Sequence, residues 1–472
     1  MLPSSTNAES GLVQGEPRGR GVARLARLRA NIERLLSFRA ALIVLVLVYA
    51  VILNRSYASA ETVLFAYQGL VLRPPPFEYL LLGYALSALP ACWLPLQLRA
   101  PSHLAIWITY VTLIVPMTFF PYHVSKYPPE RVTILVLSMM GAFMMYALLL
   151  LNLRPIRIRP IPFSHRSMFW VLLIATGGLA LAVAALNGFR LELSLEDTYT
   201  RRLEARETAT SGSLAGYALA WLAGSFAPLS ITYGLIRKRW LLVATGVVGL
   251  MAIFSFSGTK SSLFTPIIVL LLFWLVRTGR RSFAPTLILG ATALVWISMF
   301  LWVNKGNPIL SESFSRRLII SKGVSTTFYW QAFEREPMMM RDSIFARLIG
   351  RPDVLPKSRI IGRDYGFGVD ENYNANAWAS AFGNFGYPGL LLCSLLCAIL
   401  LKLVDGLANE SSFELAAVSG AFFAIVWGEQ AVETTLLSSG VVVTLGLLWL
   451  LSGCKATRTA SPPALTAEAA GA

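Results

Sequence analysis

The stretch NANAWASAFGNFGYPGLLL (residues 374–392) changes character halfway along. It opens with Asn374 and Asn376, passes through small and aromatic residues, turns on Gly383, Gly386, Pro388 and Gly389, and then enters an apolar run. Such a switch marks the mouth of a membrane span. The rest of the chain agrees. Of 472 residues, 55% are hydrophobic and 14% charged, with a mean hydropathy of +0.60, whereas a soluble domain carries about 25% charged residues. Apolar runs long enough to cross a hydrocarbon core as helices recur from end to end, and hydropathy places about twelve of them. They are residues 38–53, 78–98, 104–120, 132–151, 168–186, 214–236, 241–256, 262–276, 284–303, 387–404, 413–429 and 434–451. The expected fold class is an all-α polytopic membrane protein, since helices satisfy every backbone polar group within the lipid.

Charge divides this pattern into a basic amphipathic tail (1–37), spans one to nine (38–303) with an exterior loop at 187–213, a large exterior segment (304–386), three last spans (387–452) and a disordered Ala/Pro/Thr-rich tail (453–472). Arg18, Arg20, Arg24, Arg27, Arg29 and Arg34 precede the first span. Alternate loops then carry Arg154, Arg157, Arg159 and Arg166; Arg237, Lys238 and Arg239; Arg277, Arg280 and Arg281; and, after the last span, Lys455 and Arg458. All fall on one side for an even span count, which puts both termini in the cytoplasm. The net charge of +16 is largely this topology signal and argues against a nucleic-acid partner. Val22, Leu25, Leu28, Ile32 and Leu35 stripe the first tail, as in an interfacial anchor on the lipid bilayer. The four cysteines show no disulfide framework or zinc spacing.

Chemistry has room in the two exterior segments. In the first, Arg201, Arg202 and Arg206 share a helical run with Glu204 and Glu207, and Arg202 and Arg206 stack at i and i+4. The second is far longer than joining two helices requires. Its stretch SRRLIISKGVSTTFYWQAFEREP starts with Arg316 and Arg317, looks amphipathic and suits the membrane surface. Arg351 and Arg363 follow, and then Asp370, Glu371, Asn374 and Asn376 come close to Tyr373 and Trp378. Guanidinium forks bind diphosphate, carboxamides bind hydroxyls and aromatic faces pack on sugar rings, so a lipid-linked sugar diphosphate would use all three. The segment has no histidine, no acidic cluster at metal spacing and no Gly-rich nucleotide loop, so neither metal nor cofactor is expected.

The passage from Asn374 and Asn376 through Phe385, Gly386 and Gly389 to Asp405 resembles the terminal part of the bacterial oligosaccharide repeat-unit polymerases, the O-antigen polymerase family. The stretch FSGTKSS, with Lys260 between two spans, is similar to that family's small-residue turn bearing one cation. Arg201 to Gly212 and Arg351 to Gly362 match an Arg-x10-Gly spacing described in both exterior loops of some members, though so many arginines and glycines give this spacing little weight.

The resemblance implies a bacterial inner-membrane glycosyltransferase with an architecture similar to the GT-C type. It would transfer a growing glycan from undecaprenyl diphosphate to a new lipid-linked repeat unit, with a chain-length regulator as a further partner. The expected cations are Arg201, Arg202 and Arg206 with Arg316, Arg351 and Arg363, helped by Lys260. The base is expected among Asp370, Glu371 and Glu429, the last near the end of a span, where an unpaired charge is costly. Two other classes stay open: an O-antigen ligase, against which the absence of an exterior histidine counts, and a lipid-linked oligosaccharide flippase or other transporter, which should carry its charges inside the spans.

Overall fold

The computed structural model describes residues 19–194, 198–208, 213–278, 282–343, 346, 354–365, 372–409 and 412–454, and the side chains of residues 38 onward with few exceptions. Among the described residues there is no strand, only a single bridge between Phe163 and Cys454. Nine helices among the described residues are long and apolar enough to cross a membrane: Phe38–Leu64, Pro101–Val124, Pro129–Asn152, His165–Leu186, Leu214–Arg237, Trp240–Ser257, Lys260–Thr278, Phe283–Lys305 and Tyr387–Leu407. The other three expected spans are shorter apolar helices, Phe77–Cys92, Phe413–Trp427 and Val441–Ser452. For two of them the residues explain the shortening. Pro90 tightens the end of the first into a 3-10 turn, and Gly440, at φ +76°, separates Val432–Leu437 from Val441–Ser452.

Pro101–Val124 is the axis of the bundle. Of its most apolar eighteen-residue window 94% is buried, against 22% for His165–Leu186 at the periphery. Phe413–Trp427 and Tyr387–Leu407 pack directly on it.

Loop contacts sort the helix ends onto two faces. On one, Arg39 Nη1 donates to the carbonyls of Ala91 (3.1 Å) and Leu94 (3.2 Å), Ile156 N to Lys402 O (3.0 Å) and Trp449 Nε1 to Arg159 O (2.9 Å). The described basic loops gather there. On the opposite face lie the described parts of the connections after His165–Leu186 and Phe283–Lys305, together with residues 428–440.

The first described part of the long connection does not lie along a surface. Its helix Ser321–Phe333 is buried at Lys322 through Trp330 and packs on the end of the central span, with Gly323 against Phe120 and Pro116. The amphipathic expectation fails because this helix has no wide polar face. Its small polar residues satisfy themselves inside: Thr326 Oγ1 donates to Lys322 O (2.7 Å) and Thr327 Oγ1 to Gly323 O (2.9 Å). Arg131 Nη2 holds Glu334 Oε2 at 2.6 Å, and Trp330 Nε1 donates to Tyr387 Oη at 3.0 Å, anchoring the helix to two spans.

Candidate functional site

Ser311–Ile320, immediately before this buried helix, is π-helical. So are Tyr57–Glu61 in the first span and Tyr110–Ile114 in the central span. The segment 311–320 touches both of the others. The wider turn re-aims side chains, and π-bulges are frequent at functional sites. Here they gather charge at the face of the long connection: Arg316 and Arg317 on the π-helical segment, Lys322 on the helix it feeds, and Glu429 just beyond Phe413–Trp427.

Lys322 is 1% exposed, and its Nζ donates to Thr112 Oγ1 at 3.3 Å. The ammonium occupies the space a side chain at Gly428 would take: a Cβ there would lie 2.2 Å from Nζ. Burial pushes the Lys322 pKa down to about 8, against the opposing pull of Glu429. Burial also raises the Glu429 carboxyl, with Lys322, Arg317 and Arg316 acting the other way. Among the described residues the Glu429 Oε1 is buried without a hydrogen-bond partner.

Arg316 lies over the Phe65 ring, 4.5 Å from its centre, and Nη1 donates to Gln68 Oε1 at 2.6 Å, while its buried Nε has no partner. Burial lowers its pKa, and Arg317 beside it adds to the effect. Deeper still is Glu61, fully buried: Oε1 accepts from Ser311 Oγ at 2.7 Å, while Oε2 is unpartnered, as are Ser56 Oγ and Ser315 Oγ. An unsatisfied buried polar atom costs about 1–3 kcal/mol. A concentration of such atoms around three cations and two carboxylates is how a site for a charged, hydroxyl-bearing ligand is built.

The residues of the opening motif serve this site from behind. Asn376 caps Ala377–Phe385 by accepting from Ala379 N (3.0 Å), and its Nδ2 donates to Lys322 O (3.2 Å) and Thr326 Oγ1 (2.7 Å). Trp378 is buried, edge-on to Tyr146, and donates to Ser394 Oγ at 2.8 Å. At Gly386 the chain takes φ +61°, and Gly389 lets it fold back so tightly that a Cβ would lie 2.1 Å from Ala381 O. Asn374 is exposed. The motif is thus a scaffold that fixes the backbone of Lys322.

The other candidates separate. Arg201 is buried away from this cluster; Nη1 donates to Glu192 O (2.8 Å), Nη2 to Ser194 O, and the guanidinium packs on Phe254. It braces the described residues just before Thr198–Thr208. Arg202 is half-buried on the same helix, Thr198–Thr208, and Arg206 is described there by its backbone alone. Lys260 Nζ stands 3.9 Å from Glu312 Oε2, and the exposed Arg363 pairs with Asp364 at 2.7 Å. Arg351, Asp370 and Glu371 lie outside the described residues. Among the described residues no three His, Cys, Asp or Glu side chains gather to hold a metal.

The sequence reading singled out none of Lys322, Arg317, Glu61 and Gln68 for the site. A signal for Lys322 existed: it is the one charge between Arg317 and Glu334. No family model, curated protein or solved structure matches the chain.

Proposed function

We propose that this chain is an oligosaccharide repeat-unit polymerase of a bacterial inner membrane. It would have twelve spans, both termini in the cytoplasm and the Lys322 cluster at the outer face. The observation that carries the reading is the buried Lys322 ammonium lodged against Gly428, next in sequence to Glu429, with Glu429 Oε1 and Arg316 Nε unpartnered among the described residues. It joins the motif resemblance of residues 374–405, which now accounts for how Lys322 is held.

The chemistry follows from these groups. The donor is a glycan on undecaprenyl diphosphate and the acceptor is a hydroxyl of a second lipid-linked unit. Glu429 takes the acceptor proton as the oxygen attacks the anomeric carbon. The bond from that carbon to the diphosphate oxygen breaks, and the electron pair leaves with the diphosphate. Arg316, Arg317 and Lys322 stabilise this developing charge, the two arginines through paired N–H donors and Lys322 as a buried point charge. Undecaprenyl diphosphate departs, and the polymer is one unit longer on the acceptor lipid. The diphosphate is already a good leaving group, so the step draws on no nucleotide. A chain-length regulator is the further partner this reaction implies.

The test is reconstitution of the purified protein with a single lipid-linked repeat unit, followed by separation of the products by size. Wild type should give a ladder, and Arg316→Ala and Glu429→Gln should each leave the single unit unconsumed. A ladder from both variants would remove the cluster from the mechanism.

A further inference from the structure

The opposite face carries a second ordered feature that the polymerase reading does not use. Between Pro129–Asn152 and His165–Leu186 the sequence runs LRPIRIRPIP (residues 153–162). Pro155, Pro160 and Pro162 fix their own φ and push the residues before them out of the helical region, so the run is neither helix nor sheet. It is nevertheless held at several points. Ile156 N donates to Lys402 O (3.0 Å), Trp449 Nε1 donates to Arg159 O (2.9 Å), and Phe163 bridges to Cys454. Two glycines let the backbone rest directly on helix ends: a Cβ at Gly406 would lie 1.9 Å from Ile156 O, and one at Gly453 1.7 Å from Ile161 O.

What this strap displays is unusual for a braced segment. Arg154, Arg157 and Arg159 are exposed, and none makes a hydrogen bond or ion pair through its side chain with a described residue. No acidic residue occurs between Glu130 and Glu192. Beside the arginines, Leu153, Ile156, Ile158 and Ile161 are 40–45% exposed. The preceding span has 24 residues, which rise about 36 Å and bring the strap to headgroup depth.

We propose that residues 153–162 form a binding strap for anionic phospholipid headgroups. The guanidinium forks of Arg154, Arg157 and Arg159 take the lipid phosphates, and the exposed isoleucines enter the acyl boundary beside them. Charge complementarity selects this occupant: three forks without a partner among the described residues fit phosphate, and the isoleucines suit the lipid beneath it better than water. The glycine supports keep the forks at a fixed spacing, which a flexible basic loop would not provide.

The test uses the full-length protein in mixed nanodiscs of phosphatidylglycerol and phosphatidylcholine, with co-purifying lipid counted by mass spectrometry. Wild type should retain phosphatidylglycerol selectively. Arg154→Gln/Arg157→Gln/Arg159→Gln should reduce that selectivity at least about tenfold, given the worth of each basic residue at an anionic surface. Gly406→Ala, which displaces the strap without altering charge, should reduce it too. A same-face control, Arg166→Gln/Lys238→Gln/Arg277→Gln, should keep it. Equal loss in the control overturns the proposal in favour of general attraction to a basic face. Absence of selectivity in wild type overturns it in favour of another occupant, such as an acidic protein segment. Should the strap triple fail to fold, Gly406→Ala alone decides.

Discussion

Gly428→Ala perturbs the candidate site with a single methyl group. The new Cβ would lie 2.2 Å from Lys322 Nζ and 2.7 Å from Cε, so the ammonium must retreat by about 1 Å to reach van der Waals contact. Retreat weakens its 3.3 Å bond to Thr112 and shifts it relative to Glu429. Overpacking of this kind costs about 1–3 kcal/mol of stability, and a displacement of about 1 Å in a positioned charge lowers turnover by about 10²-fold. The assay is chain extension from a lipid-linked repeat unit, run beside thermal unfolding of the same samples. A double-mutant cycle isolates the cause: Lys322→Ala removes the collision, so adding Gly428→Ala to it should change neither rate nor stability further. A fully active Gly428→Ala protein, or one whose loss is undiminished on the Lys322→Ala background, would refute the placement of Lys322.

Four further outcomes are expected. The profile of kcat/KM against pH should fall on the alkaline side near pH 8, where Lys322 loses its proton, and Lys322→Arg should move that limb to higher pH. Because the Lys322 pKa is depressed by folding, its penalty on stability is full below about pH 8 and relieved as pH rises toward the ordinary lysine value, so melting temperature should rise over that interval and not in Lys322→Met. Asn376→Ala removes a helix cap and leaves the carbonyl of Lys322 and the hydroxyl of Thr326 without their donor; a loss of about 2 kcal/mol is expected from equilibrium unfolding, whereas the exposed Asn374→Ala should stay within about 0.5 kcal/mol. Arg201→Lys should loosen the chain locally, seen as faster hydrogen exchange at residues 190–194 and 198–208, because one ammonium cannot serve the carbonyls of Glu192 and Ser194 in the same geometry.

The helical, membrane-embedded character was legible in hydropathy because it is a property of each segment alone. Two of the shorter helices were expected to be longer, since Pro90 and Gly440 act locally and a hydropathy window averages over them. Ser321–Phe333 was read as lying on a surface because Arg316, Arg317, Glu334 and Arg335 flank it. Its burial depends on which helices surround it, which its own sequence does not contain. The same holds for Arg201: its charge was visible, but the carbonyls that use it belong to the folded loop. Asn376 was assigned to a ligand; in the structure its amide ties the backbone of Lys322 to the helix Ala377–Phe385 that it caps.

The most direct measurement is the size distribution of lipid-linked and surface glycans in a deletion strain carrying wild type, Arg316→Ala or Glu429→Gln. Single repeat units should accumulate, and the ladder disappear, in the empty strain and in both variants, with wild type restoring it. Long polymer persisting in the empty strain on undecaprenyl diphosphate, or repeat units trapped facing the cytoplasm, would contradict the polymerase assignment in favour of ligation or transport respectively.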